Sequence, residues 1–192
     1  DLNHALRFLG FPEDEISLEE LEPVTDKKPT AAELIRGIAA RFKQYGCSLE
    51  TGFDAYTTSQ VMAGSGLSSS AAFEVLLGNI CNALYAKNRF TPVELAQMGQ
   101  YAENVYFQKP CGLMDQMASS VGGAVAIDFA NPMLPAVHPV AFDFSRTGYV
   151  LCIVDTGGNH ADLTAEYAAI PAEMQEVAKY FGKDVLAEVP SA

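Results

Sequence analysis

The spacing of apolar residues predicts a first amphipathic helix between residues 30 and 46. Thr30 followed by Glu33 is typical of a helix N-cap, and Gly46 is typical of a helix end. Gly37 lies inside the segment and weakens its helix propensity. The apolar positions that recur on one predicted face are Ala31, Leu34, Ile38 and Phe42.

A second, more apolar helix is predicted over residues 70–87. Its expected buried stripe consists of Ala72, Leu76, Ile80 and Leu84. The third helix begins at Thr91, with Pro92 in its first turn and Glu94 closing a capping box, and it extends to about residue 107.

A short fourth helix is predicted after residues 110–112, and it includes Asp115 and Gln116. The pair Gly122-Gly123 ends it, because consecutive glycines interrupt a helix. A fifth helix is predicted over residues 163–181.

Period-two alternation and apolar runs predict the strands. The predicted strands are residues 52–61, 124–129 and 149–155. The acidic, proline-containing segment 12–30 is expected to be a surface loop with at most a short helix. Helices and strands do not alternate strictly, so the fold class is α+β, with a modest boundary near residue 147.

Charge narrows the range of ligands. The 192 residues carry a formal net charge of −12, with a pI near 4.5 and no basic stripe. Nucleic acids and anionic membranes are therefore not expected partners. A phosphate-bearing ligand would need local help from backbone amides, a metal ion or a few placed cations.

The cysteines and histidines show no metal-ligand spacing. Cys47, Cys81, Cys111 and Cys152 form no CxxC pair and are expected to be reduced, mostly buried thiols. No apolar run is long enough to span a bilayer, and no secretory signal peptide is recognisable. The sequence therefore predicts a cytoplasmic protein.

The segment GSGLSSSAA at residues 64–72 carries the strongest chemical signal. Glycines let the backbone approach a ligand, and the following helix presents free N–H groups and the positive end of its dipole. This favours a phosphate-binding loop, although a Gly/Ser turn that merely caps a helix remains the alternative. The segment is not a Walker A motif, because no Lys follows the glycines.

The longer segment QVMAGSGLSSSAAFE resembles the second signature motif of the GHMP kinases, in its galactokinase form. The resemblance implies a loop that wraps the phosphates of ATP, and it implies that Ser70 also reaches a Mg²⁺ ion. The phosphate-loop positions are then Gly64, Ser65, Gly66, Leu67, Ser68, Ser69 and Ser70.

A second motif, PCGLMDQ at residues 110–116, resembles the PCGxMDQ signature of the galactokinases. From the residues alone, Asp115 is an early-helix carboxylate and nothing more. The resemblance implies that Asp115 is the catalytic carboxylate facing the anomeric hydroxyl of the sugar, and that Gly112 contacts the sugar through its backbone.

Two further positions follow from the same resemblance. It implies that Glu103, twelve residues before Asp115, is a Mg²⁺ ligand opposite Ser70. The stretch from His160 to Tyr167 is similar to an H-x-L-x-x-x-E-Y stretch of the family, which makes Tyr167 a sugar-binding residue and leaves His160 structural.

The resemblance implies the GHMP kinase fold. Residues 1–147 are expected to belong to the N-terminal lobe, which is ribosomal protein S5 domain 2-like, and residues 148–192 are expected to begin the C-terminal lobe. The family's first and third motifs are not in this sequence, so the chain is expected to be a central fragment that is weakly active or inactive alone. Its exposed lobe surface could then self-associate.

The expected activity is MgATP-dependent phosphorylation of galactose at its anomeric hydroxyl, with galactose and ATP as partners. Two alternatives remain open. One is a kinase of a related sugar, such as N-acetylgalactosamine or arabinose, and the other is a galactose and ATP sensor without turnover. The LSSSAA and CGLMDQ segments argue against a kinase of mevalonate or homoserine.

Overall fold

The described residues form an α+β arrangement of helices and short strands. The computed structural model describes residues 5–8, 15–26, 28–61, 66–131, 133–154 and 164–190. Its elements are β1 Ala5–Phe8, β2 Glu15–Ser17, α1 Ala31–Gln44, β3 Phe53–Ala55, α2 Ser69–Ala86, α3 Pro92–Tyr101, a π-helix Ala102–Tyr106, α4 Met114–Val121, β4 Ala124–Asp128, β5 Ala136–Val140 and α5 Thr164–Tyr180. Two 3-10 turns span Phe144–Arg146 and Leu186–Glu188.

β1 is the central strand of a three-stranded sheet in the order β2-β1-β3. It pairs antiparallel with β2, where Leu6 lies opposite Ile16, and parallel with β3, where Leu6 lies opposite Phe53. The prediction of a surface loop over residues 12–30 is therefore wrong, since this segment contains β2 and buries Leu18 and Leu21. A three-residue strand is too short to show the period-two alternation that predicts strands. β2 could therefore be recognised only from its pairing with β1.

One face of this sheet packs with α1, α2 and α3 around the main hydrophobic core. The fully buried large side chains of this core include Leu6, Phe8, Ile16, Ile35, Ile38, Phe42, Leu77 and Met98. β3 is much shorter than the predicted strand over residues 52–61, of which only Phe53–Ala55 pairs with β1.

Helix α1 confirms the first predicted helix and explains its internal glycine. A Cβ atom at Gly37 would lie 2.7 Å from Ala102 Cβ and 2.8 Å from Ala102 Cα. Gly37 therefore lets α1 and the π-helix approach each other closely. Gly46 has φ +77 and ends α1 with paired hydrogen bonds from its own N–H and that of Cys47 to Lys43 and Phe42 carbonyls.

The predicted buried stripe of the second helix is wrong. In α2, Leu76 and Leu84 are 42% and 57% exposed, while Ala72 and Ile80 are half-buried. The buried positions are instead Ala71, Glu74, Val75, Leu77, Gly78, Cys81, Asn82 and Ala86. Apolar residues surround most of this helix, so periodicity could not select the face that α1, α3 and α4 cover.

The third and fourth predicted helices are confirmed. The side-chain hydroxyl of Thr91 accepts the Glu94 N–H, and the Glu94 carboxylate accepts the Thr91 N–H, which completes the predicted capping box. The short helix α4 ends at Gly122, which has φ +74.

β4 confirms the predicted strand at residues 124–129 and pairs antiparallel with β5, which the sequence did not predict. The predicted strand at 149–155 is wrong for residues 149–154, which have no regular structure. That run, YVLCIV, is exposed throughout, with Val150 82% exposed. Residue 155 lies outside the described residues.

The four cysteines are all free. Cys47 and Cys81 are buried, Cys111 is half-buried and Cys152 is exposed. Across the described ranges, no helix is both long and apolar enough to span a membrane.

Candidate active site

Three polar side chains are almost completely buried where α2, the π-helix and α4 meet. Glu74, Glu103 and Gln116 are 0%, 2% and 1% exposed. The Gln116 Nε2 atom donates to Glu74 Oε2 at 3.0 Å and to Glu103 Oε2 at 2.8 Å. Because a buried carboxylate without a partner is very costly, this amide is what allows two glutamates to share one interior.

The second oxygen of Glu103 faces a different set of groups. Ser70 Oγ donates to Glu103 Oε1 at 3.2 Å, and Lys109 Nζ lies 3.0 Å from the same oxygen. Lys109 is partly exposed, with 42% of its side chain accessible. The carboxylate is thus divided between an inner oxygen bound to Gln116 and an outer oxygen bound to a hydroxyl and a cation.

The local backbone explains how Glu103 and Lys109 meet. The Phe107 N–H donates to the Ala102 carbonyl at 3.0 Å, a five-residue spacing that widens the helix into a π-helix. Single π-helical turns are frequent at functional sites. Gln108 then adopts the left-handed conformation, with φ +56, and the chain turns so that Lys109 returns to Glu103.

Gly99 on α3 makes room for the buried cluster. A Cβ atom at this position would lie 3.1 Å from Glu74 Oε2 and 3.2 Å from Gln116 Cγ. These contacts are tighter than ordinary packing allows, so the missing side chain lets α3 cover the two polar groups closely.

The charges in the cluster change one another's proton affinities. Burial, and then the charge of Glu103, raise the pKa of Glu74 to about 8. Burial lowers the pKa of Lys109, but the hydrogen bond and charge of Glu103 outweigh burial and leave that pKa above its ordinary value. Burial of Cys111, together with the charge of Glu103, raises the pKa of its thiol.

The described part of the predicted phosphate loop leads directly into α2. Gly66 and Ser68 both have positive φ angles, +75 and +57. Ser68 precedes the first helical residue, Ser69, so the loop ends at the amino terminus of α2 with its unpaired N–H groups. Strained backbone of this kind clusters at ligand-binding turns. Leu67 is exposed, and Gly64 and Ser65 lie outside the described residues.

The segment that carries the PCGLMDQ motif is anchored to the π-helix. The Cys111 N–H donates to Asn104 Oδ1 at 2.7 Å, and the Cys111 carbonyl accepts from Asn104 and Gln100 side chains. Gly112 and Asp115 are both exposed, and open space surrounds the position of a Gly112 Cβ.

Asp115 is the second residue of α4, next to the buried Gln116. Its charge contributes to raising the pKa of Glu74, so Asp115 lies within electrostatic reach of the cluster. The structure therefore joins Ser70 to Glu103, 33 positions apart in the sequence, and Asp115 immediately precedes Gln116 of the same cluster.

Tyr167 is not brought to this cluster by helix packing. Within the described residues, α5 packs chiefly against the 3-10 turn Leu186–Glu188, and Tyr167 is 49% exposed. Its role as a sugar-binding residue stays a prediction. The predicted structural residue His160 lies outside the described residues.

Sequence reasoning missed three members of the cluster: Glu74, Lys109 and Gln116. Glu74 could have been suspected, because it follows Ser70 by four residues and so shares its face of a helix. Gln116 is the last residue of the PCGLMDQ motif and Lys109 precedes that motif, but nothing in their spacing indicates burial or contact with Glu103.

The donor set fits a magnesium ion. Within the described ranges no group of three His, Cys, Asp or Glu side chains could hold a metal. Mg²⁺ does not need such a group, since it is often held by one or two protein oxygens together with water and phosphate. Ser70 and Glu103 offer a hydroxyl and a carboxylate oxygen 3.2 Å apart, and the Lys109 ammonium shows that this oxygen attracts a cation.

The GHMP kinases N terminal domain family matches residues 33–123. This part of the chain therefore resembles a GHMP kinase N-terminal domain. The matched range extends from α1 to the end of α4 and contains the whole buried cluster. The resemblance to this family and the α+β fold expected from it are therefore confirmed.

Galactokinases resemble the chain along nearly its whole length. The galactokinase of Streptomyces coelicolor is 36% identical over 178 residues, which are 93% of this chain and 45% of that protein. The galactokinase of Clostridium acetobutylicum is 30% identical over 188 residues, 95% of this chain and 46% of that protein. The chain spans about half the length of the curated relatives it matches.

A solved structure shows the same relationship. The crystal structure of Lactococcus lactis galactokinase complexed with galactose superposes with a TM-score of 0.63 at 26% identity. The superposition covers 92% of this chain and 47% of the Lactococcus lactis chain.

Proposed function

We propose that the protein containing this chain is a galactokinase that transfers the γ-phosphoryl group of MgATP to the anomeric hydroxyl of galactose. The observation that carries the proposal is the hydrogen bond from Ser70, at the end of the phosphate loop, to the buried Glu103. The galactokinase relatives, and the Lactococcus lactis structure complexed with galactose, support the choice of reaction and sugar.

The phosphates of ATP would lie against the loop formed by residues 64–70. The N–H groups and the positive end of α2 offer local attraction to an anion, which a chain of net charge −12 does not provide as a whole. Ser70 and Glu103 would hold Mg²⁺, which, when bound, neutralises charge that develops on the phosphate oxygens.

Asp115 would act on the sugar. In the proposed step the anomeric oxygen forms a bond to the γ-phosphorus, the bond from that phosphorus to the bridging oxygen of ADP breaks, and the hydroxyl proton passes to Asp115. Phosphoryl transfer depends mainly on positioning and charge stabilisation, so an exposed aspartate at a helix start is adequate. Gly112 and Tyr167 would contact the sugar.

The two-lobe division also belongs to this proposal. Residues 1–147 would form part of the N-terminal lobe, and residues 148–192 would begin the C-terminal lobe. The exposed run at residues 149–154 supports this division, since it is apolar and lacks a partner element among the described residues. The proposed location is the cytoplasm.

The test is ADP release with MgATP and galactose, N-acetylgalactosamine or arabinose, measured on the longest chain that the source gene encodes. The Asp115→Asn variant should lower kcat about 100-fold or more with galactose, because it removes the proton acceptor. Asp143→Asn is the matched control, since Asp143 is exposed and caps the turn Phe144–Arg146.

Each outcome decides a different part of the proposal. Turnover with another sugar alone would contradict the substrate and leave the kinase reaction standing. Binding of galactose and MgATP without turnover would replace the enzyme with a sensor, which is the alternative function.

A further inference from the structure

We propose that Gln116 is a positioning residue that fixes the orientation of the Glu103 carboxylate, so that only its outer oxygen is presented to Mg²⁺. The inference rests on the proposed function, in which Glu103 is a metal ligand. It assigns to Gln116 a role that neither its position in the sequence nor its neighbour Asp115 indicates.

The geometry divides the two oxygens of Glu103 by environment. The inner oxygen, Oε2, accepts from Gln116 Nε2 at 2.8 Å, and Gln116 is 1% exposed. The outer oxygen, Oε1, lies 3.2 Å from Ser70 Oγ. Rotation of the carboxylate about its last bond would break the inner hydrogen bond in a place that water does not reach, so the outer oxygen stays directed at Ser70.

Glu74 fixes the orientation of the amide itself. Gln116 Nε2 lies 3.0 Å from Glu74 Oε2 as well as 2.8 Å from Glu103 Oε2, so its nitrogen donates to two buried carboxyl groups at once. A flipped amide would place its carbonyl oxygen against Glu103 Oε2 and lose the hydrogen bond to that oxygen. Gly99 lets α3 pack closely over this amide, since a Cβ atom at that position would lie 3.2 Å from Gln116 Cγ.

Loss of Gln116 should therefore weaken metal binding selectively. Without the amide, the inner oxygen of Glu103 is a buried acceptor with no donor, and the carboxylate turns or moves to find one. Partners that orient metal ligands typically change metal affinity by about 10- to 100-fold. The described loop residues 66–70 make no hydrogen bond to Gln116, so nucleotide affinity without metal should be preserved.

The experiment compares two dissociation constants in the longest chain that the source gene encodes. Calorimetry measures the dissociation constant of a non-hydrolysable ATP analogue in Mg²⁺ and in EDTA. The ratio of the EDTA constant to the Mg²⁺ constant gives the contribution of the metal ion to affinity. Gln116→Met, which keeps the side-chain shape, should reduce that ratio by about 10- to 100-fold and leave the EDTA constant unchanged. Glu103→Gln should abolish the Mg²⁺ contribution.

Three further variants separate positioning from folding. Gln97→Met is the matched control, since Gln97 donates to the Met133 carbonyl away from the cluster, and it should keep the full ratio. Glu74→Gln keeps an acceptor for the Gln116 amide, so this variant should also keep the full ratio of the two dissociation constants. The double variant Glu74→Met with Gln116→Met replaces both partners with apolar groups, so it should regain thermal stability relative to Gln116→Met without regaining the Mg²⁺ contribution.

The results distinguish failure of the Gln116 inference from failure of the proposed function on which it rests. The inference is overturned if the Gln116→Met protein keeps the full ratio, or if it loses nucleotide affinity equally in Mg²⁺ and in EDTA. In both cases the proposed metal site still stands, provided that Glu103→Gln lacks the Mg²⁺ contribution. If Glu103→Gln retains the full Mg²⁺ contribution, the proposed metal site is wrong and the inference falls with it.

Discussion

At the scale of single residues, the most unusual group is the Glu74 carboxyl, which is fully buried on α2. Its Oε1 atom has no hydrogen-bond partner, and neither does Gln116 Oε1. A buried charge with one free oxygen is expensive, which is why burial is the largest cause of the raised pKa. Glu74 thus takes part in the cluster more readily as a neutral acid than as an anion.

Glu74 should make the protein less stable as pH rises. Its pKa is 4.5 when exposed and about 8 in the fold, so the folded state binds the proton more tightly. Below about pH 4.5 Glu74 is protonated in both states. Between these values the free energy of unfolding falls by about 1.4 kcal/mol per pH unit, and above about pH 8 the loss is complete.

Glu74→Gln should remove this dependence. The variant should be more stable than the unmodified chain at pH 8.5 by several kcal/mol, to order of magnitude, and nearly equal to it at pH 5. Urea denaturation at both pH values measures the difference, with the measurement at pH 5 as the internal control. A stability gap that stays constant from pH 5 to pH 8.5 would contradict the raised pKa.

At the scale of elements, two helices begin with the same signal and end up with different caps. Thr30 and Thr91 each precede a helix and each have a Glu three residues later. Only Thr91 makes the side-chain cap. Thr30 makes no cap hydrogen bond, its Oγ1 is buried without a partner, and Glu33 pairs instead with Arg36 at 2.6 Å.

The same substitution should therefore have different effects at the two caps. Thr91→Ala removes the hydroxyl that accepts the Glu94 N–H and should lower the free energy of unfolding by about 1 kcal/mol. Thr30→Ala removes a buried hydroxyl that has no partner, so it should be neutral or stabilising. Chemical denaturation of the two variants side by side measures the contrast, and equal losses would show that Thr30 is capped in solution.

At the scale of the whole molecule, the buried hydrophobic clusters of the described residues lie between β1 and β5. Beyond β5, the described residues expose many large apolar side chains. They are Phe142, Phe144, Tyr149, Val150, Leu151, Ile153 and Val154, then Ile170, Met174 and Val177 on α5, and Phe181 just after it. Among the described side chains of α5, only that of Ala178 is buried. Apolar surface on this scale is typical of a surface that another chain or segment covers.

We expect the isolated 192-residue chain to self-associate through this surface. Light scattering should give a mass above 20.6 kDa at micromolar concentration. Replacing Val150 and Leu151 with Lys should shift the mass toward the monomer, whereas the same change at the exposed Glu173 and Glu176 of α5 should not. A strictly monomeric unmodified chain would contradict the expectation.

The sequence by itself determined the helices with strong local signals. The third and fourth predicted helices have their ends at a capping box and at glycine, and both ends formed where the sequence places them. The motifs also identified Ser70, Glu103 and Asp115 through resemblance. The structure joins Ser70 to Glu103 by a hydrogen bond, and the roles of all three residues remain predictions. Caps and glycines act within a few residues, so local sequence is enough to locate them.

Only the tertiary structure decided which surfaces are buried and which polar groups share the interior. β1 pairs with β2 on one side and with β3 on the other, and the exposed Leu76 and Leu84 show that packing partners select the face of α2. The contacts of Gln116 with Glu74 and Glu103 join positions 42 and 13 residues apart. Such contacts depend on how helices pack, and periodicity in one segment contains no information about its partner.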